Sequence, residues 1–428
     1  MKYSVLTFGC RVNQADSLRL EEELRVRGAM EAPASEADLV VVNTCSVTAS
    51  ADQGARQTIR RLARDNPAAR IVVTGCYATR RPDEVSALPN VVRVVRNSDK
   101  ENLGAALGLL FGLSTAERFG DGEGACGAPI EPGFAGRTAF TLCVQTGCEE
   151  RCSYCIIPST RGAGRSVPRQ SVIAEVGRIA AAGFKEIAIT GVHLGSYGRD
   201  LTPRSSLLEL LRALGARRAD VQFRISSLEP MDCTPEIVEL FANAGGCFAP
   251  HFHLPLQHAS DRVLGLMRRP YTLLAYRRLI DGILERLPHA SIGTDVIAGF
   301  PGETDEDFDA NARYLPQSGL SHLHVFPYSD RPGTAASTMP YKVAAPVVRA
   351  RAARLRQIGA ELSRRFRDSQ VGTIRPALTL ADGTSIVTNN YLKLRIEKGL
   401  PRNLRVSVRV DDHATATVVD HGSGRFTN

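Results

Sequence analysis

The chain has 428 residues, of which 43% are hydrophobic and 23% charged, and it carries a formal net charge of +8. This length allows two or three domains with a large core, so the fold does not need disulfide bonds for stability. The positive charge favours an anionic partner. The apolar runs fall short of the ~18 residues that span a bilayer and the N-terminus lacks a signal-peptide pattern, so we expect a cytoplasmic protein with no membrane partner.

Residues 1–98 alternate strand-like and helix-like patterns, which is typical of parallel βαβ units. The predicted elements are strands at 3–8, 39–42, 70–74 and 91–95, with helices at 16–27 and 51–64. We therefore expect an α/β protein that begins with an open parallel sheet domain over residues 1–113. A Gly-rich linker is predicted over residues 114–137.

Six further strand-like runs follow, mostly with helical stretches between them. They are residues 140–145, 186–190, 222–226, 251–254, 291–297 and 322–326. Six units indicate a partial (βα)6 barrel rather than a full barrel of eight, and we assign it residues 138–368. Its last element is an Arg-rich helix predicted at 341–368, which is either a solvated helix or one that faces phosphate.

The remaining residues, 369–428, contain short alternating runs interrupted by Gly and Pro. Such a pattern is typical of a small all-β domain, either a sheet or a barrel. The fold class is therefore α/β with a small C-terminal all-β domain.

Cys148, Cys152 and Cys155 lie on one short loop that directly follows the first barrel strand. Catalytic residues of such folds lie at the carboxyl ends of strands. Three thiolates can hold three irons of a 4Fe-4S cluster, and no fourth Cys follows within reach, so one iron keeps an open coordination position. The alternative is a structural zinc site, which would need a fourth ligand at short spacing.

A second set of cysteines is spread along the N-terminal domain. Cys10, Cys45 and Cys76 each follow one of its first three predicted strands. Loops after neighbouring parallel strands meet at one edge of a sheet, so the three should converge and could hold a second cluster. Three unrelated buried thiols are the alternative. No role is assigned to the remaining cysteines, which are Cys126, Cys143, Cys233 and Cys247.

The CxxxCxxC spacing, with Tyr154 before the last Cys, resembles the radical S-adenosylmethionine superfamily, and the N-terminal cysteine trio is similar to that of its methylthiotransferases. The resemblance covers essentially the whole chain. It implies an N-terminal methylthiotransferase domain, a radical barrel and a TRAM-like β domain that binds tRNA. Residues 9–14, Gly-Cys-Arg-Val-Asn-Gln, resemble the subfamily that modifies threonylcarbamoyladenosine at tRNA position 37.

Other functions stay open beside this one. Related subfamilies methylthiolate isopentenyladenosine in tRNA or an aspartate of a ribosomal protein, and a non-enzyme alternative is a metal-stabilised RNA-binding module. The resemblance implies two 4Fe-4S clusters and S-adenosylmethionine, whose radical removes hydrogen from carbon 2 of the adenine. It also implies an electron donor such as flavodoxin or ferredoxin, and a source of sulfur.

The resemblance further suggests residues that bind S-adenosylmethionine at the ends of barrel strands: Gly191, Glu229, Asp295 and Gly299. Glu229 could equally be a loop cap, and the segment of Asp295 and Gly299 could simply pack its strand. Arginines that could contact RNA are Arg161, Arg165, Arg356 and Arg364, although the first two could also meet a cofactor carboxylate. His193 and His258 are expected to be hydrogen-bonding fixtures. His258 stands where the family usually has Ser.

Overall fold

The computed structural model describes residues 1–112, 130–133, 138–217 and 220–420. The chain folds into two compact units. The N-terminal unit contains Met1–Ile130, Cys143–Glu175 and Ser329–Ser337, and the barrel unit contains Glu131–Leu142, Val176–Tyr328 and Thr338–Asn428. Cys126 and most of the predicted linker lie outside the described residues, and the domain boundaries given above stay a prediction.

The first part of the N-terminal unit is an alternation of strands and helices. Its elements are β1 (Lys2–Thr7), α1 (Arg11–Val26), β2 (Met30–Glu31), β3 (Leu39–Thr44), α2 (Ala49–Asp65), β4 (Arg70–Gly75), α3 (Cys76–Arg80), α4 (Pro82–Ser86), β5 (Val91–Val95) and α5 (Leu103–Phe111). The next elements along the chain are β6 (Phe140–Thr146), α6 (Ile157–Arg161), β7 (Arg165–Ser166) and α7 (Arg169–Ala181).

The five strands β1 to β5 form one parallel sheet in the order β2-β1-β3-β4-β5. This is a common doubly wound order, in which the direction of winding reverses between β1 and β3. Thr7 pairs with Asn43, and Thr44 pairs with Gly75, so the carboxyl ends of β1, β3 and β4 are nearly level. Ligands of such sheets bind at this edge, beside the reversal.

Both faces of this sheet are covered, as the apolar strands require. Successive side chains of a strand point to opposite faces. Accordingly Val40 and Val42 pack with Ile59 of α2, whereas Leu39 and Val41 pack in a separate cluster with α1 and α5. All six residues of β3 are buried, so the strand end before Cys45 is held firmly.

Helix α1 begins at Arg11, five residues earlier than predicted. Its first turn is polar and shows no apolar periodicity, but Asn13 is fully buried there. The Asn13 amide donates to the carbonyl of Phe8 and to the carbonyl of Thr44, at 2.7 and 3.0 Å. These tertiary bonds fix the first turn and place Cys10 at the N-cap position.

The barrel unit alternates strands and helices in the same way. Its elements are β8 (Glu186–Gly191), α8 (Leu207–Ala216), β9 (Gln222–Ile225), α9 (Pro235–Asn243), β10 (His251–His253), α10 (Asp261–Leu266), α11 (Leu273–Arg286), β11 (Ser291–Ala298), α12 (Asp305–Tyr314), β12 (His322–Pro327), α13 (Ala345–Gln370) and the strands β13 (Ile374–Thr379), β14 (Ser385–Thr388), β15 (Lys393–Arg395), β16 (Arg405–Val410) and β17 (Ala416–Asp420).

All six strands predicted for the partial barrel are present, as β6, β8, β9, β10, β11 and β12. Strands β8 and β9 pair in parallel, and so do β10, β11 and β12. Single parallel bridges at Phe223–Phe248 and Ser227–His253 connect β9 to the β10 segment. The short β7 pairs antiparallel with the end of β6, which closes the loop between them into a hairpin-like turn.

The long helix α13 begins at Ala345 rather than 341, because Pro346 suits the first turn of a helix and not its interior. It packs against β12, where Gly359 lets the helix approach Leu323 closely. None of the described helices combines the length and apolar character needed to cross a membrane.

The C-terminal strands form one antiparallel sheet in the order β15-β14-β13-β16-β17, as predicted for a small all-β domain. The turn after β14 contacts the barrel strands of the same unit. Arg224 of β9 donates to the carbonyls of Thr388 and Asn389, and Tyr391 stacks on His251 with ring centroids 4.3 Å apart. The guanidinium of Arg224 also lies over the Tyr391 ring.

Candidate functional site

Three cysteines lie at the carboxyl edge of the N-terminal sheet. Cys10 is at the N-cap of α1, just past β1, while Cys45 directly follows β3 and Cys76 directly follows β4. Cys45 and Cys76 are adjacent in register, because Thr44 and Gly75 pair across the two strands. The structure therefore brings these three side chains to the edge where the sheet winding reverses.

The backbone beside these cysteines is packed too closely for any side chain. Gly9 and Gly75 both have a φ of +98°. A Cβ on Gly9 would lie 2.6 Å from Cβ and 2.9 Å from Sγ of Cys45. A Cβ on Gly75 would lie 2.2 Å from the carbonyl oxygen of Thr44. The two glycines thus let the cysteine loops approach each other.

The three thiols also influence each other electrostatically. Burial raises the pKa of the Cys45 thiol to about 11, and the proximity of Cys76 and Cys10 adds to this rise. A metal binds the thiolate and not the thiol, so metal binding would release the proton of Cys45.

The second trio lies on the loop between β6 and α6. Cys148, Cys152 and Cys155 are half-buried. The amide of Cys148 donates to the carbonyl of Gly162 at 3.0 Å, and that of Cys155 donates to the carbonyl of Cys152 at 3.1 Å. These bonds fold the loop that carries the three cysteines into a compact turn.

The donor set of both trios suits an iron–sulfur cluster. Each trio supplies three cysteine sulfurs, and thiolates are the ligands that hold the irons of a 4Fe-4S cluster. The residues present therefore fit that group, with one iron left for another ligand.

The helix that follows the second trio is bonded to the loops that carry the first. Asn97 donates to the carbonyl of Thr160 at 3.0 Å and to Sγ of Cys76 at 3.6 Å. Arg161 donates to Asn13 and forms an ion pair with Asp16 at 3.1 Å. Both trios are therefore parts of one connected structure within the N-terminal unit.

Arg161 is buried and engaged within the N-terminal unit. Its side chain is only 4% exposed and its guanidinium is engaged with Asp16, Asn13 and Thr146. The RNA contact suggested for Arg161 stays a prediction, and this burial does not favour it. Nothing in the neighbouring sequence indicates this, because the acid that pairs with Arg161 lies 145 residues away along the chain.

The other predicted RNA contacts differ in character. Arg165 and Arg356 are exposed, so both stay candidates. Arg364 is also exposed but forms ion pairs with Glu361 and Asp368 on its own helix, which reduces its charge toward an outside partner. Acidic residues of α13 thus neutralise part of the positive charge of this Arg-rich helix.

Two of the residues proposed for S-adenosylmethionine lie at the ends of β8 and β9. Gly191 is the last residue of β8 and is partly exposed. Glu229 follows β9 and makes no side-chain cap, but its carboxylate pairs with Arg269. A ligand that approached Glu229 would meet a carboxylate already oriented by a buried cation.

Asp295 belongs to a group of three that sequence reasoning missed. Its Oδ1 lies 3.0 Å from Nε2 of His253 and 3.2 Å from Nδ1 of His324, on three neighbouring strands. Burial acts to raise the pKa of Asp295, but the hydrogen bonds of the two histidines outweigh it and lower this pKa to about 2. Two imidazoles and a carboxylate also form a ligand set that fits one transition-metal ion.

Gly299 has a structural reason for being glycine. Its φ is +77°, and a Cβ would lie 2.4 Å from Cγ2 of Val348 on α13. Its amide donates to the carboxylate of Glu303 at 2.6 Å. Glu303 is in turn paired with the buried Arg351, so this segment connects the end of β11 to α13.

His193 and His258 are hydrogen-bonded, as expected of fixtures. Nε2 of His193 lies 2.8 Å from Oδ2 of Asp232. His258 is fully buried, and its Nε2 lies 2.8 Å from the amide nitrogen of Asn311. Burial lowers the pKa of His258 to about 4. Its size and two ring nitrogens thus serve packing and hydrogen bonding rather than proton transfer.

The other described cysteines belong to neither trio. Cys143 lies within β6, where burial raises the pKa of its thiol to about 12, and Cys233 is buried with a pKa of about 12 for the same reason. Cys247 is half-buried, and burial raises the pKa of its thiol as well. These three side chains are thiols that form no disulfide.

Comparison with known proteins divides the chain into two matched segments. Residues 2–96 match the Uncharacterized protein family UPF0004, and residues 142–315 match the Radical SAM superfamily. A solved structure of the radical S-adenosylmethionine methyltransferase TsrM from Kitasatospora setae, with cobalamin and a [4Fe-4S] cluster bound, superposes with a TM-score of 0.55. It covers 78% of this chain and 74% of its own at 17% identity, which supports the fold alone.

Curated relatives are similar over most of their length. The Threonylcarbamoyladenosine tRNA methylthiotransferase MtaB of Aquifex aeolicus is 35% identical over 93% of this chain and 97% of its own. The MtaB of Bacillus subtilis is 36% identical over 84% of this chain and 80% of its own. The tRNA-2-methylthio-N(6)-dimethylallyladenosine synthase of Streptomyces avermitilis is 33% identical over 86% of this chain and 74% of its own.

Proposed function

Because the chain belongs to the radical S-adenosylmethionine methylthiotransferase family, we propose that it adds a methylthio group to carbon 2 of threonylcarbamoyladenosine at tRNA position 37. It is an enzyme, a tRNA methylthiotransferase that uses S-adenosylmethionine and a 4Fe-4S cluster. The observation that carries the proposal is that both cysteine trios lie in one compact unit, joined by the bonds of Asn97 and Arg161.

We assign the catalytic cluster to Cys148, Cys152 and Cys155. Three thiolates leave one iron open, and that position suits the amino and carboxylate groups of S-adenosylmethionine. When bound, this cluster supplies the electron that cleaves the sulfonium bond of the cofactor. The turn made by the Cys148 amide and the Gly162 carbonyl would orient these ligands.

We assign a second 4Fe-4S cluster to Cys10, Cys45 and Cys76, as the carrier of the sulfur that is inserted. Gly9 and Gly75 allow the loops that carry these cysteines to approach each other, because no side chain fits between the loops. The barrel strand ends supply Gly191, Glu229, Asp295 and Gly299 as the residues that would orient S-adenosylmethionine. The target base would leave its stack to reach the reacting centre.

The partners follow from the same chemistry. An electron donor such as flavodoxin or ferredoxin would reduce the catalytic cluster, and a separate source would replenish the sulfur. RNA would be bound through the exposed Arg165 and Arg356 and through the C-terminal sheet, whose strands resemble a TRAM domain. These reactions would take place in the cytoplasm.

A second candidate substrate is isopentenyladenosine in tRNA. It is favoured by relatives named tRNA-2-methylthio-N(6)-dimethylallyladenosine synthase, which are 31–33% identical over 86% of the chain. The relatives named for threonylcarbamoyladenosine reach 36% identity and include one that is covered over 97% of its length. The chain is therefore somewhat more similar to the relatives named for threonylcarbamoyladenosine than to those named for dimethylallyladenosine.

Nucleoside mass spectrometry of tRNA from a deletion strain tests the proposal. We expect the methylthio group to disappear from threonylcarbamoyladenosine and to stay on isopentenyladenosine. The intact gene and a Cys233→Ala variant should restore it, whereas Cys10→Ala and Cys152→Ala should not. Loss from isopentenyladenosine alone would select the second candidate, and no loss from either nucleoside would refute both.

A further inference from the structure

Lys100 is a buried cation that the proposed mechanism does not use. It lies on the 3-10 helix Asn97–Asn102 between β5 and α5, and its side chain is 12% exposed. It donates to Asp16 at 2.7 Å, to Oδ1 of Asn43 at 3.0 Å and to Oδ1 of Asn97 at 3.3 Å. Burial lowers the pKa of Lys100, and the charge of Asp16 opposes this effect. An ammonium has three protons, and these three acceptors match them, so the contacts favour the charged form.

Asn97 connects this ammonium to the first cysteine trio. Its oxygen accepts from Lys100, and its nitrogen donates to Sγ of Cys76 at 3.6 Å and to the carbonyl of Thr160 at 3.0 Å. Asn97 is 8% exposed as a residue, so little water competes with either bond. A positive charge on its oxygen side polarises the amide and strengthens the hydrogen bond to sulfur.

The charges around this amide do not cancel. Lys100 and Arg161 both form their ion pairs with one acid, Asp16, so two cations share one anion. The Arg161 side chain is 4% exposed, and its Nε has no hydrogen-bond partner among the described residues. A buried surplus of positive charge is costly unless an anion lies nearby. Cys76 and Cys10 both lie close enough to Arg161 to act on its charge, and their sulfurs would become anionic on binding a cluster.

We propose that Lys100 and Asn97 set the reduction potential of the cluster held by Cys10, Cys45 and Cys76, and this proposal rests on the function given above. A 4Fe-4S cluster gains one negative charge when it is reduced. Hydrogen bonds to its sulfurs and nearby positive charge favour the reduced form, and both raise the potential. The two residues are positioning residues, since they act through Cys76 and do not contact substrate.

Lys100 and Asn97 would make the N-terminal cluster easier to reduce. An N-terminal cluster with a raised potential is reduced more easily than one ligated by the same thiols without this relay. The same positive charge would also favour an anionic sulfur species at this trio, because opposite charges attract. Lys100 and Asn97 would thus favour the loaded form of the sulfur carrier.

A redox titration of the full-length chain tests this inference. Cys148→Ala, Cys152→Ala and Cys155→Ala are combined, so that only the N-terminal cluster remains, and its signal is followed by electron paramagnetic resonance. We expect Lys100→Met and Asn97→Leu to lower the equilibrium constant for reduction of this cluster at least tenfold. For a one-electron couple this shifts the reduction potential by about 59 mV toward negative values. Lys100→Arg, which keeps the charge, should stay close to the parent.

Controls separate tuning from loss of structure. Iron content and the visible spectrum are measured for each variant, and Lys100→Gln takes the place of Lys100→Met if the latter binds less iron. Unchanged potentials in Asn97→Leu and in whichever of the two Lys100 variants keeps the parent's iron content would overturn the inference alone. A parent chain that binds no cluster at the N-terminal trio would overturn both the inference and the proposed function.

Discussion

Replacing Gly75 with Ala should remove the N-terminal cluster and spare the catalytic one. Gly75 has φ +98° and ψ −167°, a conformation that is essentially restricted to glycine and costs other residues about 1–3 kcal/mol. Its Cβ would also lie 2.2 Å from the oxygen and 2.6 Å from the nitrogen of Thr44. These are backbone atoms that cannot rotate away, so the end of β4 must shift, and Cys76 shifts with it.

The assay is iron content after anaerobic reconstitution, together with release of 5′-deoxyadenosine from S-adenosylmethionine. We expect about eight irons per chain to fall to about four, while cofactor cleavage persists. Gly28→Ala is the matched control, because Gly28 has φ +79° but no atom lies within 4 Å of the added carbon. It should cost only about 1–2 kcal/mol and keep both clusters. Full iron content and methylthiolation in Gly75→Ala would refute this reasoning.

Three further predictions concern burial and charge. Arg351→Met leaves the fully buried Glu303 without its cation, so the free energy of unfolding should fall by about 3–5 kcal/mol in chemical denaturation, and adding Glu303→Gln should recover part of it. His258→Asn should make the protein less sensitive to acid. The pKa of His258 is about 4 in the folded state and 6.5 in the unfolded state, so the unfolded state binds the proton first as the pH falls. The free energy of unfolding of the parent therefore decreases as the pH falls. The parent should lose about 2 kcal/mol more than this variant between pH 7 and 5 in thermal melts, and equal losses would contradict the cause. Cys143→Ala and Cys233→Ala should each keep the parent's iron content, and a loss of iron would show an unrecognised ligand.

The strand ends of the N-terminal sheet could be predicted because apolar runs and their lengths fix where parallel strands stop. The positions of Cys45 and Cys76 follow from that pattern, since each directly succeeds a strand. The start of α1 could not be predicted, because Asn13 is fixed by carbonyls of other segments and not by its own helix. Local periodicity contains no information about such bonds.

The residues that sequence reasoning missed share this property. Lys100 lies in a polar turn that has the composition of any solvated loop, and it is buried only because Asp16 and Asn43 meet it from distant parts of the chain. His253 and His324 stand on different strands, and only the register of β10, β11 and β12 brings them to Asp295. A single sequence specifies neither contact, because each depends on tertiary pairing.

The turn after β14 limits how the protein can be shortened for crystallisation or binding studies. A chain that stopped after α13 would remove the two carbonyls that accept from Arg224 and the Tyr391 ring that covers His251. Arg224, now 1% exposed, would then face water on one side while Glu186 still held it on the other. Surface substitutions such as Lys393→Glu are therefore the sounder way to measure what the C-terminal sheet contributes to RNA affinity, since they leave the barrel strands covered.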